Sequence, residues 1–270
     1  MSVKKGSTNS RVAQLFLRYA SPLAGMRRWP IIGPIVSWAS RKIVPRETRV
    51  WMQIQNGPAQ GLWLLLNPRT GRPAFEGTGE PEVQKALAEQ IKPGMTFYDV
   101  GANIGFFSLL AARLVGTEGR VVAFEADPEI ASRLREHVVK NEFARIAVEQ
   151  QAVWSEPKTV YFARTDLATS PDRGLGHVVN ENAKGTIEVN AVSLDDYAAR
   201  AAMPDFIKCD VEGAEVEVFR GAQRLLKEKR PRILCEMHSE ENRQVLLKEF
   251  ARLGYSCRML DEQHVLALPL

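Results

Sequence analysis

Cysteine is scarce in this chain: 3 of 270 residues, none in a C-x-x-C pair. That excludes a disulfide-stapled scaffold and a zinc ribbon, and makes a reducing, cytoplasmic setting the simple reading. Missing too is any apolar run near the roughly 18 residues needed to cross a bilayer. The apolar stretches near the start are broken by Arg and Pro and show no clear small-residue cleavage site, so no secretory signal is expected. No internal repeat or low-complexity tract is evident. The G-x-G-x-x-G turn of a dinucleotide site is absent as well. What remains is an ordinary globular composition, 45% hydrophobic and 25% charged, which excludes a collagen-like, disordered or polytopic membrane chain.

Excess positive charge is absent outside the first fifty residues. Residues 1–50 carry ten Lys/Arg and one acid, Glu47, for a net +9; with the whole chain at +4, the remainder carries −5. A mildly acidic body argues against a nucleic-acid partner. The basic segment also holds Trp29, Trp38 and Ile31, interrupted by Pro22, Pro30, Pro34 and Pro45. It reads as a helical extension packing on the main domain, as a segment lying on anionic lipid at the inner membrane face, or as a tether for a partner or nucleic acid.

Three regions are expected: a basic, partly apolar extension over 1–50, a β-hairpin and helix over 51–94, and a core domain over 95–270. Val50, Met52 and Ile54, then Leu62, Leu64 and Leu66, alternate around Asn56-Gly57-Pro58 and predict the hairpin. Val83, Leu87 and Ile91 predict a helix after Pro81. From Thr96 onward, strands at 96–100, 120–125, 146–150, 205–210 and 232–237 alternate with helices at 104–115, 128–140, 214–227 and 240–253. Such alternation implies an α/β fold with a mostly parallel sheet covered on both faces. Residues 158–163 and 186–192 read as two extra strands, and the polar segment 164–185 between them as a substrate loop. Residues 255–260 and 264–268 close the chain as an antiparallel hairpin.

The most informative segment is Asp99-Val100-Gly101-Ala102-Asn103-Ile104-Gly105-Phe106, a strand end, a tight turn and a helix start. Ligands sit at the carboxyl ends of such strands. Gly101 and Gly105 are expected to permit close backbone approach. An acid beside the turn suits a positively charged ligand better than a phosphate. S-adenosylmethionine carries a sulfonium and an α-ammonium and no phosphate, so it is the favoured ligand. Glu125 ends the second strand twenty residues after Gly105, where a carboxylate can accept hydrogen bonds from both ribose hydroxyls. Gln151 and Val153, after the third strand, are placed to edge the adenine.

These landmarks resemble the FkbM family of S-adenosylmethionine-dependent methyltransferases. The resemblance runs from about Gly57 to Leu268. It is carried by Gly77-Thr78-Gly79-Glu80, the Asp99–Gly105 turn, Val122-Ala123-Phe124-Glu125 and Ser193-Leu194-Asp195-Asp196. The most specific parts are Lys208-Cys209-Asp210-Val211-Glu212-Gly213-Ala214-Glu215 and Glu236-Met237-His238. The family often has Pro where this chain has Ala126. The resemblance implies a Rossmann-like seven-stranded class I methyltransferase sheet ending in an antiparallel hairpin. It also implies a cofactor site over Glu80, Asp99, Gly101, Ala102, Asn103, Gly105, Phe106, Glu125, Ala126, Gln151, Val153 and Asp210.

Asp210 ends the fourth strand, Glu212 lies in the turn after it, and Glu236 and His238 end the fifth on the same side. These four are the candidate catalytic residues. His238 is the natural general base, because imidazole titrates near neutral pH. A divalent ion on Asp210, Glu212 and Glu236 is an alternative way to acidify a hydroxyl, but no metal site is assigned. Glu215, in a first helical turn, reads as favouring the macrodipole. The expected activity is O-methylation of a hydroxyl on a sugar, glycan or secondary metabolite. An NAD-dependent oxidoreductase and a non-catalytic cofactor-binding module on the same scaffold are the alternatives.

Overall fold

The computed structural model describes residues 48–68, 70–164, 176–179 and 185–270. The expected lipid-binding or packing extension therefore lies almost wholly outside the described residues, as does most of the expected substrate loop. Among the described residues no helix is long and apolar enough to cross a membrane.

Strands β1 (Val50–Gln53) and β2 (Trp63–Leu66) pair antiparallel, with Val50 opposite Leu66. Their alternation buries Val50, Met52, Leu64 and Leu66 and turns Trp51 and Trp63 the other way. Two short helices follow, α1 (Arg72–Glu76), which the sequence pattern did not predict, and α2 (Pro81–Gln90).

The core alternates as expected: β3 (Thr96–Val100), α3 (Phe106–Val115), β4 (Arg120–Phe124), α4 (Pro128–Lys140) and β5 (Ile146–Glu149). Helix α4 begins where it does because Asp127 accepts hydrogen bonds from the Glu129 and Ile130 amides and Pro128 occupies the first turn. A second, four-stranded sheet comes next, in the order β6 (Ala152–Val153), β9 (Thr186–Val192), β7 (Lys158–Ala163), β8 (His177–Val179). The two extra strands thus form their own sheet. The strand β8 falls inside the segment expected to be loop.

The chain then returns through α5 (Leu194–Ala198), β10 (Phe206–Cys209), α6 (Glu215–Arg220), α7 (Gln223–Glu228), β11 (Arg232–Glu236), α8 (Glu240–Arg252), β12 (Tyr255–Met259) and β13 (His264–Pro269). The single helix expected over 214–227 is two helices. Asp195 accepts the Arg224 and Leu225 amides at 2.8 and 2.9 Å, so α7 is capped by a side chain from α5 rather than by its own flank. At the break, a Cβ on Gly221 would lie 2.3 Å from the Trp154 carbonyl oxygen.

The main sheet has seven strands in the order β12-β13-β11-β10-β3-β4-β5, with β13 antiparallel to both neighbours and the others parallel. Successive β3 residues feed opposite faces: Phe97 joins one core with Leu109, Leu110 and Leu134, while Tyr98 and Val100 join the other with Leu225 and Phe250. Each fully buried aromatic of this kind contributes about 2–3 kcal/mol. Because the chain steps from β3 outward to β4 and β5 and then returns to β10 on the other side, a crevice opens at the carboxyl ends of β3 and β10.

Candidate active site

Parallel pairing sets Lys208 of β10 beside Asp99 of β3, and Cys209 beside Val100. The Asp210 amide donates to the Val100 carbonyl at 2.9 Å, carrying the ladder one residue past the strand. Gly101 has a φ of +80°, and a Cβ there would lie 1.8 Å from the Asp210 backbone oxygen. The two strand ends therefore meet only because this position has no side chain. Asn103 is also left-handed, at φ 51°, and its Oδ1 accepts the Ile104 amide at 2.7 Å. A short amide side chain tolerates that conformation where a branched one would not.

Two clefts meet at the turn. The first, ≈ 780 Å³, passes Glu125 and Ala126 and reaches Gln151 and Val153. The second, ≈ 800 Å³, is bounded by Glu80, Ala102, Phe106 and Lys208. Gly101, Asn103 and Asp210 belong to both walls. Ten of the twelve residues expected around the cofactor thus lie in one wall or the other.

Asp99 and Gly105 do not. Asp99 is fully buried behind the turn, where its Oδ2 accepts the Ser108 hydroxyl at 2.5 Å and its Oδ1 makes no hydrogen bond. Burial raises its pKa, and the neighbouring Lys208 ammonium opposes that rise. Gly105 has a φ of +88°, and a Cβ there would lie 2.0 Å from Leu134 Cδ1. Its lack of a side chain serves the packing of α3 on α4, not the approach of a ligand.

Glu125 closes the first cleft. Its Oε2 accepts the Asn103 amide and its Oε1 the Asp127 amide, each at 2.8 Å. Burial raises its carboxyl to about 7 in spite of these two bonds. A buried carboxyl with unused acceptor capacity is suited to a ligand that offers hydroxyl donors.

On the other side of Asp210, the four expected catalytic residues converge. His238 Nε2 lies 3.8 Å from Asp210 Oδ1, 3.3 Å from Glu212 Oε2 and 3.6 Å from Glu236 Oε1. Asp210 and Glu212 line the first cleft; Glu236 and His238 line neither and stand behind them. Glu215 completes the group. It is fully buried, accepts the Gly213 amide and the Asn242 side chain, and sits 2.5 Å from His238 Nδ1. Its position in a first helical turn is thus only part of its role. Hydrogen bonding to Glu215, against burial, raises His238 to about 9. His238 is therefore an imidazolium near neutral pH, not the free base its residue type suggested. Burial pushes Asp210 up, but Lys208 and His238 outweigh it and hold that carboxyl below its ordinary value. Burial also raises Glu212, with His238 opposing.

Sequence reasoning gave no role to Lys208 or His264. Lys208 is 2% exposed; its Nζ lies 3.1 Å from Asp210 Oδ2 and 4.9 Å from the centre of the Phe107 ring. Burial disfavours its charge, yet Asp210, Asp99 and Glu80 outweigh that and hold the ammonium well above its ordinary pKa. The available signal was a lone cation inside the apolar strand Phe206-Ile207-Lys208-Cys209. His264 has one local partner, Asp261, but the carboxylates that face its Nε2, Glu80 and Glu236, lie far off in the sequence. His137, also without a sequence signal, is buried and structural: Nδ1 meets the Ile104 carbonyl at 2.7 Å and Nε2 accepts the Leu65 amide at 2.9 Å.

A seven-stranded sheet of this order, with a glycine-bearing turn after β3 and an acid directly after β4, defines a Rossmann-like methyltransferase fold. Residues 99–257 match the Methyltransferase FkbM domain, and the chain belongs to that family. It is 29% identical over 139 residues to an arsenite methyltransferase of Halobacterium salinarum, covering 50% of this chain and 34% of that protein. It is 27% identical over 151 residues to the hexuronic acid methyltransferase AglP of Haloferax volcanii, covering 55% of this chain and 59% of that one. The chain thus spans less than two thirds of the length of either relative. A solved methyltransferase FkbM from Methylobacillus flagellatus KT aligns with a TM-score of 0.47 at 18% identity, over 73% of this chain and 58% of that one.

Proposed function

We propose that this chain is an S-adenosylmethionine-dependent methyltransferase acting on a hydroxyl of a sugar, glycan or related metabolite. The observation that carries the reading is the pair of clefts joined at Gly101, Asn103 and Asp210, with Glu125 in one and Glu80 in the other. The donor set suits a cationic nucleoside: carboxylates stand at both ends, and Lys208, the one lysine in the walls among the described residues, is already engaged by Asp210. Among the described residues a pyrophosphate would find no spare cation in these walls, which weighs against a dinucleotide.

In this reading Glu125 holds the ribose hydroxyls, and Gln151 and Val153 flank the base. When bound, the cofactor supplies an electrophilic methyl group on a sulfonium. The residues then have to orient an acceptor oxygen and relieve it of a proton. Asp210, in both walls, orients the hydroxyl; Lys208 and His238 keep it ionised. Glu212, with its raised pKa, is the better proton acceptor of the two carboxylates. The FkbM membership and the named sugar substrate of the Haloferax relative support a sugar acceptor.

Isothermal titration of the full chain with S-adenosylmethionine, followed by mass spectrometry of hexoses and hexuronic acids incubated with both, tests the proposal. Micromolar cofactor binding and an acceptor 14 Da heavier are expected. Folded protein that binds no cofactor at millimolar concentration overturns it.

A further inference from the structure

His264 opens β13 directly opposite Glu236, the last residue of β11, in the antiparallel register. Its two ring nitrogens are in different situations. Nδ1 lies 2.9 Å from both oxygens of Asp261, and Asp261 is itself fixed by accepting the Gln263 and His264 amides at 2.9 and 2.8 Å. The other nitrogen, Nε2, points to two carboxylates, 3.5 Å from Glu236 Oε2 and 3.6 Å from Glu80 Oε2, and makes no hydrogen bond. The residue is 5% exposed. A buried ring nitrogen that makes no hydrogen bond is costly and calls for an explanation.

Glu80 shows the same aim. It occupies the position before α2, yet its carboxylate forms no capping hydrogen bond, and its backbone is left-handed at φ 46°. A non-glycine residue held there stores strain of the kind found at binding sites. Instead of capping the helix, its side chain reaches across to His264.

The separations decide what the group can hold. At 3.5–3.6 Å the nitrogen–oxygen pairs are too long for ordinary hydrogen bonds. Two ligands bonded at about 2.1 Å to one ion lie roughly 3.4 Å apart at a tetrahedral angle. The carboxylate and imidazole atoms of Glu80, Glu236 and His264 all fall within 4.8 Å of one another. A histidine whose remote nitrogen is tied to a carboxylate is also the usual form of a metal-ligating imidazole, with its tautomer and orientation fixed.

The geometry points to a divalent-cation site formed by Glu80, Glu236 and His264, with Asp261 as the residue that positions the imidazole. Two carboxylates and a neutral imidazole balance a doubly charged ion and suit manganese or zinc. Three protein ligands leave open positions for water or an acceptor oxygen. The location fits that use, because Glu80 also lines the second cleft. Glu236 is shared: its Oε2 faces His264, and its Oε1 faces His238 in the neighbouring group. The site thus joins the acceptor face to the closing hairpin. This goes beyond the methyltransferase reading and does not depend on it.

The test uses the full chain and manganese alone, so its failure leaves cofactor binding untouched. Crystals soaked in manganese chloride and measured for anomalous scattering should show a peak within bonding distance of Glu80, Glu236 and His264. Titration should give a site that His264→Ala abolishes and Asp261→Asn weakens about 10- to 100-fold. The crystal result stands even if a variant fails to fold. No peak at these three residues, with or without one at Asp210 and His238, overturns the inference and leaves His264 as an imidazolium balancing two carboxylates.

Discussion

Changing Glu125 to Gln separates the charge of this side chain from its shape. In the ligand-free protein burial raises the carboxyl to about 7 from an ordinary 4.5. That shift corresponds to about 3 kcal/mol against the ionised form. The folded pKa is the higher one, so the stability this group contributes is full below pH 4.5 and is lost as pH rises through 7. Ribose hydroxyls donating to the carboxylate act in the opposite sense, because they favour the charged form. Roughly one Glu125 in ten is ionised at pH 6 and nearly all are at pH 8, so wild-type cofactor affinity should rise about tenfold between them. Glutamine keeps the volume but presents an NH₂ where the Asn103 or Asp127 amide needs an acceptor. It also loses two charge-assisted hydrogen bonds, about 2–4 kcal/mol together. The variant should therefore bind roughly a hundredfold more weakly at pH 8, with no dependence on pH. Isothermal titration at pH 6, 7 and 8 reads both effects, and urea denaturation checks the fold. Equal wild-type affinity at pH 6 and 8, or a variant within threefold of wild type at pH 8, refutes the ribose assignment.

Gly105→Ala should cost about 1–2 kcal/mol in left-handed backbone strain, and more from the Leu134 overlap; adding Leu134→Ala should recover the overlap part in a double-mutant cycle, and additive costs would show that the contact is not what demands glycine. Lys208→Met leaves Asp99 and Asp210 without their buried cation and should destabilise by about 3–5 kcal/mol; a loss under 1 kcal/mol in urea denaturation would mean the ammonium is dispensable. His137 is lowered to about 4 by burial. Its folded pKa lies below its unfolded one, so the stability it contributes holds above pH 6.5 and fades as pH falls toward 4. His137→Gln should flatten that part of the pH–stability curve, and an unchanged slope would remove His137 from the account.

The alternation of strands and helices was readable because each element announces itself locally. Period-two burial marked β1 and β2, and Asp127-Pro128 marked the start of α4. The turn and the acid that line the first cleft were readable for the same reason, since a strand, a tight turn and an acid after the next strand are properties of short segments. Gly105 was misread because its need for no side chain comes from Leu134, on another helix. The break at Gly221 was missed because the cap of α7 is Asp195, about thirty residues earlier.

The sequence by itself determined the alternation of the core strands and helices, the turn after β3 and the end of β3 at Val100, while β4, β10 and β11 each stop one residue short of the expected end. Local conformational preference and hydrophobic period decide those, and both are written along the chain. Tertiary structure alone decided the partners. Sheet register sets Glu236 opposite His264, and the turn before α2 brings Glu80 to them across most of the length of the protein. Sheet order sets a buried lysine between two aspartates, and it surrounds His238 with carboxylates. Charge and protonation follow from those neighbours, through burial and distance, and no spacing along the chain encodes them.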